Sequence, residues 1–177
     1  MITDIVLLKS LARIFNDCSF LEIGSWRGES IANVAEVAKK CVSVTLSDDE
    51  MREMNLNENF IKVHGFFSND KDNIHTWRHN SHTFDFAGLG EKFDLIFIDG
   101  DHSYEGVLKD TLNIWPFRRS EQSGIVWHDY SYTTEDVRFS VLATILNGIP
   151  LKNTVTYTIY PTNDIEEFFS CISRCCC

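Results

Sequence analysis

Basic side chains are scarce in this chain. Lys and Arg number 16 against 26 Asp and Glu among 177 residues, a formal charge of −10. A nucleic-acid partner needs a basic face to neutralise phosphates, so that class of partner is not expected. Arg118, Arg119 and nearby Lys109 are the one local cluster, and they read as a solvated helix end. Long apolar runs are missing too. No stretch approaches the roughly 20 residues that span a bilayer. Asp4 precedes the N-terminal apolar run, and Lys9 and Arg13 interrupt it, the wrong charge order for a secretion signal. The expectation is a soluble, cytoplasmic protein with no membrane partner. Low-complexity segments, internal repeats and linkers are also absent, which leads to the expectation of one domain over 1–177, with 168–177 as a disordered tail.

The six cysteines do not form matched CxxC pairs, so zinc has no ligand spacing here. Cys175, Cys176 and Cys177 are adjacent, which suits a frayed end better than a disulfide scaffold.

What is present is an alternation of strand and helix patterns. Ile5, Leu8, Leu11, Ile14 and Phe15 repeat at helical spacing over 4–15. Phe20-Leu21-Glu22-Ile23 is a short apolar run ending at Gly24. Ile31, Val34, Ala35 and Ala38 then share one face of a helix over 29–40 that closes on Lys39 and Lys40. Val42 to Leu46 reads as the second strand, and Asp48, Asp49 and Glu50 favour the start of a helix. The third strand is either Ile74–Arg78 or Phe60–His64. Phe93 to Asp99 is apolar on both faces, as in a sheet covered on each side. Ser103 caps a helix bearing Val107, Thr111 and Ile114, which Pro116 stops. Gly124 to Asp129 is the next strand. A helix over 133–147, a strand over 154–160 and a short helix over 164–172 complete the pattern. The expected fold class is α/β, a Rossmann-like three-layer α/β/α sandwich with a mostly parallel sheet.

In such sheets ligands bind at the carboxyl ends of the strands, near the topological switch point. Four strand ends carry polar groups: Glu22-x-Gly24-x-x-x-Gly28, the 45–49 segment, Asp99 to His102, and His128-Asp129. Clustering polar groups at such ends is costly without a ligand or partner. Glycines let the backbone turn sharply and approach a ligand, and a following helix offers free N–H groups.

Glu-x-Gly-x-x-x-Gly resembles the first motif of class I S-adenosylmethionine-dependent methyltransferases. The run Asp99-Gly100-Asp101-His102-Ser103-Tyr104-Glu105, together with Gly124 to Tyr130, is similar to a branch of small-molecule O-methyltransferases. The resemblance covers about residues 18–147. It implies that Glu22, Gly24, Ser25, Trp26 and Gly28 hold the methionine end of the cofactor, with Asp99 close by. An acid after the second strand would grip the ribose. Thr45 occupies that place, leaving Asp48 or Asp49 as substitutes. Asn80 and Ser81 match the adenine contact. In metal-dependent members the matching ligands are Asp99, His128 and Asp129, where a divalent ion such as magnesium binds. His128 departs from the oxygen donors that magnesium prefers.

The function so implied is methyl transfer from S-adenosylmethionine to a small-molecule acceptor at a hydroxyl oxygen, with metal assistance as an option. An imidazole, with an ordinary pKa of about 6.5, suits proton removal at neutral pH. His102 is therefore the expected base, with Asp99 and Asp129 orienting substrate. Each also has a plainer role: Asp99 as a helix cap, His102 as a loop histidine, His128 packed beside Trp127, Asp129 as a turn residue. Asp101 is expected to shape the turn, and Trp26 and Tyr104 either wall the pocket or pack. The loop histidines His64, His75, His79 and His82 show no ligand spacing. Two alternatives remain open. One is a nucleotide-binding oxidoreductase, although its glycine spacing is one residue shorter. The other is a non-catalytic binding protein of the same fold, its open sheet edge covered by a second subunit in a homo-oligomer.

Overall fold

The computed structural model describes residues 2–128. Asp129, the elements expected beyond it and the C-terminal cysteines lie outside the described residues.

Strand β1 (Ser19–Ile23) is buried at every position. It pairs in parallel with β2 (Lys40–Thr45) on one side and β4 (Leu95–Ile98) on the other. Outward from these lie β3 (Ile74–Arg78) beside β2 and β5 (Gly124–Trp127) beside β4, again parallel, giving the order β3-β2-β1-β4-β5. The chain builds outward from β1 in one direction, then returns to build in the other. The switch point therefore lies between β1 and β4.

Side chains alternate between sheet faces with period two, and both faces are covered. On one face Phe20, Leu95, Phe97 and Val126 meet α1 (Ile2–Ala12) and α2 (Glu29–Val34) through Leu8, Ala12, Ile31 and Val34. On the other, Leu21, Ile23, Val44, Ile96, Ile98 and Trp127 meet α5 (Tyr104–Ile114) and a 3-10 turn at Phe86–Leu89. Each such side chain contributes roughly 1.5–3 kcal/mol by leaving water. Two short helices, α3 (Asp48–Glu53) and α4 (Glu58–Ile61), follow β2. The fold is the expected three-layer α/β/α arrangement, and its sheet is parallel throughout the described residues.

Some boundaries differ from the sequence reading. Helix α2 ends at Val34, where the N–H groups of Glu36 and Val37 tighten onto Asn33 and Val34 three residues back; those of Lys39 and Lys40 then meet the Cys18 carbonyl as Lys40 opens β2. Of the two candidates for the third strand, 74–78 is the strand. Residues 60 and 61 belong to α4. Past the end of α5, Arg119 pairs with Asp94 at 2.8 Å and Arg118 stacks over Trp115 at 3.5 Å. Among the described residues no helix is long and apolar enough to cross a membrane.

Candidate active site

The backbone ladder runs one residue past β1, β4 and β5. Gly24 N–H donates to the Val44 carbonyl at 2.9 Å, Asp99 N–H to Ile23 at 2.8 Å, and His128 N–H to Ile98 at 2.9 Å. Gly24, Asp99 and His128 consequently stand side by side at the carboxyl edge of the sheet. The contact is close enough that a Cβ at Gly24 would lie 2.3 Å from the Asp99 carbonyl oxygen, and Gly24 has φ +80°. Only glycine meets both conditions.

Two cavities open along this edge, and Gly24, Trp26 and Asp99 line both. The larger, about 430 Å³, lies over β1 and β2. Its apolar wall includes Met51, Leu56 and Phe60, and its polar wall includes Asn80, Ser81 and His102. Trp26 stacks on Phe60 with ring centroids 4.4 Å apart and donates its indole N–H to the Phe60 carbonyl at 3.2 Å. The smaller cavity, about 220 Å³, is lined by Glu22, Ser25, Gly28 and His128 among others. Of the residues expected from the sequence to meet a cofactor, all but Asp48 and Asp49 thus border this crevice of two adjoining cavities.

Asp48 lines neither cavity. Its carboxylate is drawn to Arg78 at 3.2 Å and to His64 Nδ1 at 3.3 Å. Thr45 is committed internally as well. Its Oγ1 accepts from Ser25 N–H at 3.5 Å and lies 3.3 Å from His64 Nε2. Burial holds the His64 imidazole below its usual pKa, and the adjacent Arg78 charge adds to this, with Asp48 opposing. Ser25 Oγ meets Ser43 Oγ at 2.6 Å beneath the turn.

Glu22 is fully buried and faces α1 and α2. Burial pushes its carboxyl up to about 8, and the Asp99 charge adds to the rise. The Ser30 hydroxyl donates to Oε1, while Oε2 has no hydrogen-bond partner among the described residues. Around Asp99 two imidazoles converge on one oxygen: His128 Nδ1 is 3.0 Å and His102 Nε2 3.9 Å from Oδ1. On its other side His128 Nε2 is 3.6 Å from Asp4 of α1, and hydrogen bonding with His128 holds the Asp4 carboxyl below its ordinary value against the opposing effect of burial. Asp4 was not signalled by the sequence, because nothing local links it to residue 128.

The plainer roles sort clearly. Ser103, not Asp99, caps α5, accepting from Gly106 N–H at 3.1 Å. Asp101 braces the turn, accepting from Ser103 N–H at 2.8 Å. Tyr104 is absent from the lining of both cavities. His82, passed over in the sequence, lines the larger one.

A magnesium site needs several oxygen donors facing one point. His128 instead turns each ring nitrogen toward a carboxylate, and among the described residues no group of three or more His, Cys, Asp or Glu side chains is placed to hold a metal ion. The described donors do not fit that ion. Asp129, the remaining expected ligand, lies outside them.

Several known proteins resemble this chain. An uncharacterised protein of Acanthamoeba polyphaga mimivirus is 28% identical over 143 residues, covering 76% of this chain. The chain spans only 60% of that relative's length. Among solved structures, a Staphylococcus aureus protein provisionally named a caffeoyl-CoA O-methyltransferase matches with TM-score 0.56 and 20% identity, over 76% of this chain and 60% of its own. The phosphoethanolamine N-methyltransferase 1 of Haemonchus contortus, solved with phosphoethanolamine and S-adenosylhomocysteine, matches with TM-score 0.54 and 18% identity, over 73% of this chain and 26% of its own. At such identities the structures speak for the fold. A family profile described as a methyltransferase domain matches residues 21–130, which include the end of β1, strands β2 to β5 and every crevice residue except Asp4 and Ile5. The chain belongs to this methyltransferase-domain family.

Proposed function

We propose that the chain transfers a methyl group from S-adenosylmethionine to a small-molecule acceptor at a hydroxyl oxygen, with His102 taking the acceptor's proton. The observation that carries this reading is that Gly24 and Asp99 line two adjacent cavities at once, with His102 in the wall of the larger.

The residues suit the cofactor. The buried Glu22 Oε2 has no hydrogen-bond partner among the described residues, and a ligand ammonium in the smaller cavity would supply one. The aromatic and methionine wall of the larger cavity suits an adenosine. When bound, the cofactor supplies a methyl group already made electrophilic by its sulfonium. The protein's part is alignment and proton removal. Alignment alone supplies roughly 7–11 kcal/mol. The Asp99 carboxylate lies near both imidazoles, 3.0 Å from His128 Nδ1 and 3.9 Å from His102 Nε2, and would orient the His102 ring toward the acceptor. His128, set between Asp99 and Asp4, keeps that carboxylate in place.

One observation favours a second reading. Thr45 stands where the family carries an acid, and its hydroxyl is occupied by Ser25 and His64. A non-catalytic binder of the same fold would tolerate that change.

The test is formation of S-adenosylhomocysteine by the full chain with S-adenosylmethionine and a panel of phenols, sugars and other small hydroxyl compounds. It is run with added magnesium and again with a chelator. Turnover is expected with one acceptor class, and His102→Ala is expected to lower it by roughly 10²- to 10⁴-fold. Undiminished turnover in His102→Ala overturns the assignment of the base. Cofactor binding without turnover on any acceptor favours the second reading.

A further inference from the structure

Asp110 is a buried acid that the reaction above does not use. It sits on the inner face of α5 with 0% exposure, and neither carboxylate oxygen has a hydrogen-bond partner among the described residues. A carboxylate so placed is costly, and in an ordinary helix the position would be apolar.

Its surroundings point toward the larger cavity. His82 Nε2 lies 3.6 Å from Asp110 Oδ1. Nearly one turn further along α5, Asn113 Nδ2 donates to the Ser81 carbonyl at 3.2 Å. From the opposite side, Glu50 of α3 accepts from Asn80 N–H at 3.1 Å. Two helices therefore hold the segment Asn80-Ser81-His82, and all three residues line the cavity. Gly100 presses on the same carboxylate, for a Cβ there would stand 2.9 Å from Oδ2. The polar and charged groups facing Asp110 are Ser81 and His82 from the loop, Asp101 from the turn and Lys109 from α5. Burial pushes the Asp110 carboxyl up to about 6, with Asp101 adding to the rise and the others opposing it.

We propose that Asp110 and His82 form a positioning pair for the purine of the cofactor. Asp110 anchors the imidazole through Nε2, which leaves Nδ1 as the ring nitrogen that a purine in the cavity meets. This inference rests on the cofactor reading above. It assigns recognition of the base to a side chain held from beneath by a buried acid, beyond the backbone and side chains of Asn80 and Ser81.

The experiment is calorimetric titration of the full chain with S-adenosylhomocysteine and with S-inosylhomocysteine, whose hypoxanthine reverses the hydrogen-bonding pattern of adenine. Wild type, His82→Ala, His82→Gln and Asp110→Asn are compared between roughly pH 5.5 and 8. His82→Ala is expected to bind the adenine ligand about tenfold more weakly and to lose preference between the two ligands. Asp110→Asn, nearly isosteric and suited to a buried site, is expected to weaken binding by about threefold and to flatten its pH dependence. His82→Gln is expected to restore part of the affinity. Wild-type affinity, preference and pH profile in both His82→Ala and Asp110→Asn overturn the pair while leaving the cofactor reading intact. Failure of the wild type to bind either ligand overturns both.

Discussion

Glu22 shows what one buried acid does to the whole chain. Its folded pKa lies near 8 against an ordinary value of 4.5, so the folded state holds a proton that the unfolded state releases between those two values. The sign follows. Stability is greatest below the unfolded value, falls by up to about 1.4 kcal/mol per pH unit as pH rises toward the folded value, and levels off above it. Asp110 acts in the same direction over a narrower window, up to about 6. Urea unfolding midpoints are therefore expected to fall from pH 5 toward pH 8 in the unliganded chain. Glu22→Gln, which keeps the shape and cannot ionise, is expected to remove most of that slope. A slope that persists unchanged in Glu22→Gln contradicts the assignment. Glu22 was legible in the sequence as the acid before the glycine turn. Its burial was not, because only the packing of α1 and α2 over β1 closes that face.

At the scale of elements, the turn between β1 and α2 is the most constrained piece of backbone. Gly24 combines a left-handed φ with contact against the Asp99 main chain, which has no flexible end to move aside. Gly24→Ala is expected to cost about 1–3 kcal/mol and to abolish ligand binding. Gly90 is the control. It too is left-handed, at φ +64°, but a Cβ there meets open space. Gly90→Ala is expected to cost about 1–2 kcal/mol and leave binding intact. Denaturant titration with calorimetry separates the two outcomes. The strands β1, β4 and β5 were readable because both of their faces are apolar. The competition over β3 was not, since His75 to Arg78 are exposed on an edge strand and carry little period-two signal. Within α5 the signal was present and unread. Asp110 lies three residues after Val107 and four before Ile114, inside the stripe that buries them.

For the whole molecule, the expected consequence of a cofactor crevice is linkage between ligand and fold. S-adenosylhomocysteine at about 100 times its Kd adds about 2.7 kcal/mol to stability, seen as a rise of roughly 5–10 °C in melting temperature. Reduced nicotinamide dinucleotide is expected to give no rise. A rise with the dinucleotide alone would favour the oxidoreductase alternative despite the family match. The position of the crevice followed from the strand-end rule and the alternating pattern. Its chemistry was less legible, because Asp4 and His82 reach it, and Asp110 backs it, from segments far apart in the chain.

Beneath the crevice a string of polar contacts runs from Ser43 through Ser25, Thr45 and His64 to Asp48 and Arg78. It crosses from the centre of the sheet to its outer strand, like a tie rod under a floor. A floor tied this way keeps its shape before any guest arrives. Little conformational freedom is then left to surrender on binding, and more of the contact energy is retained as affinity.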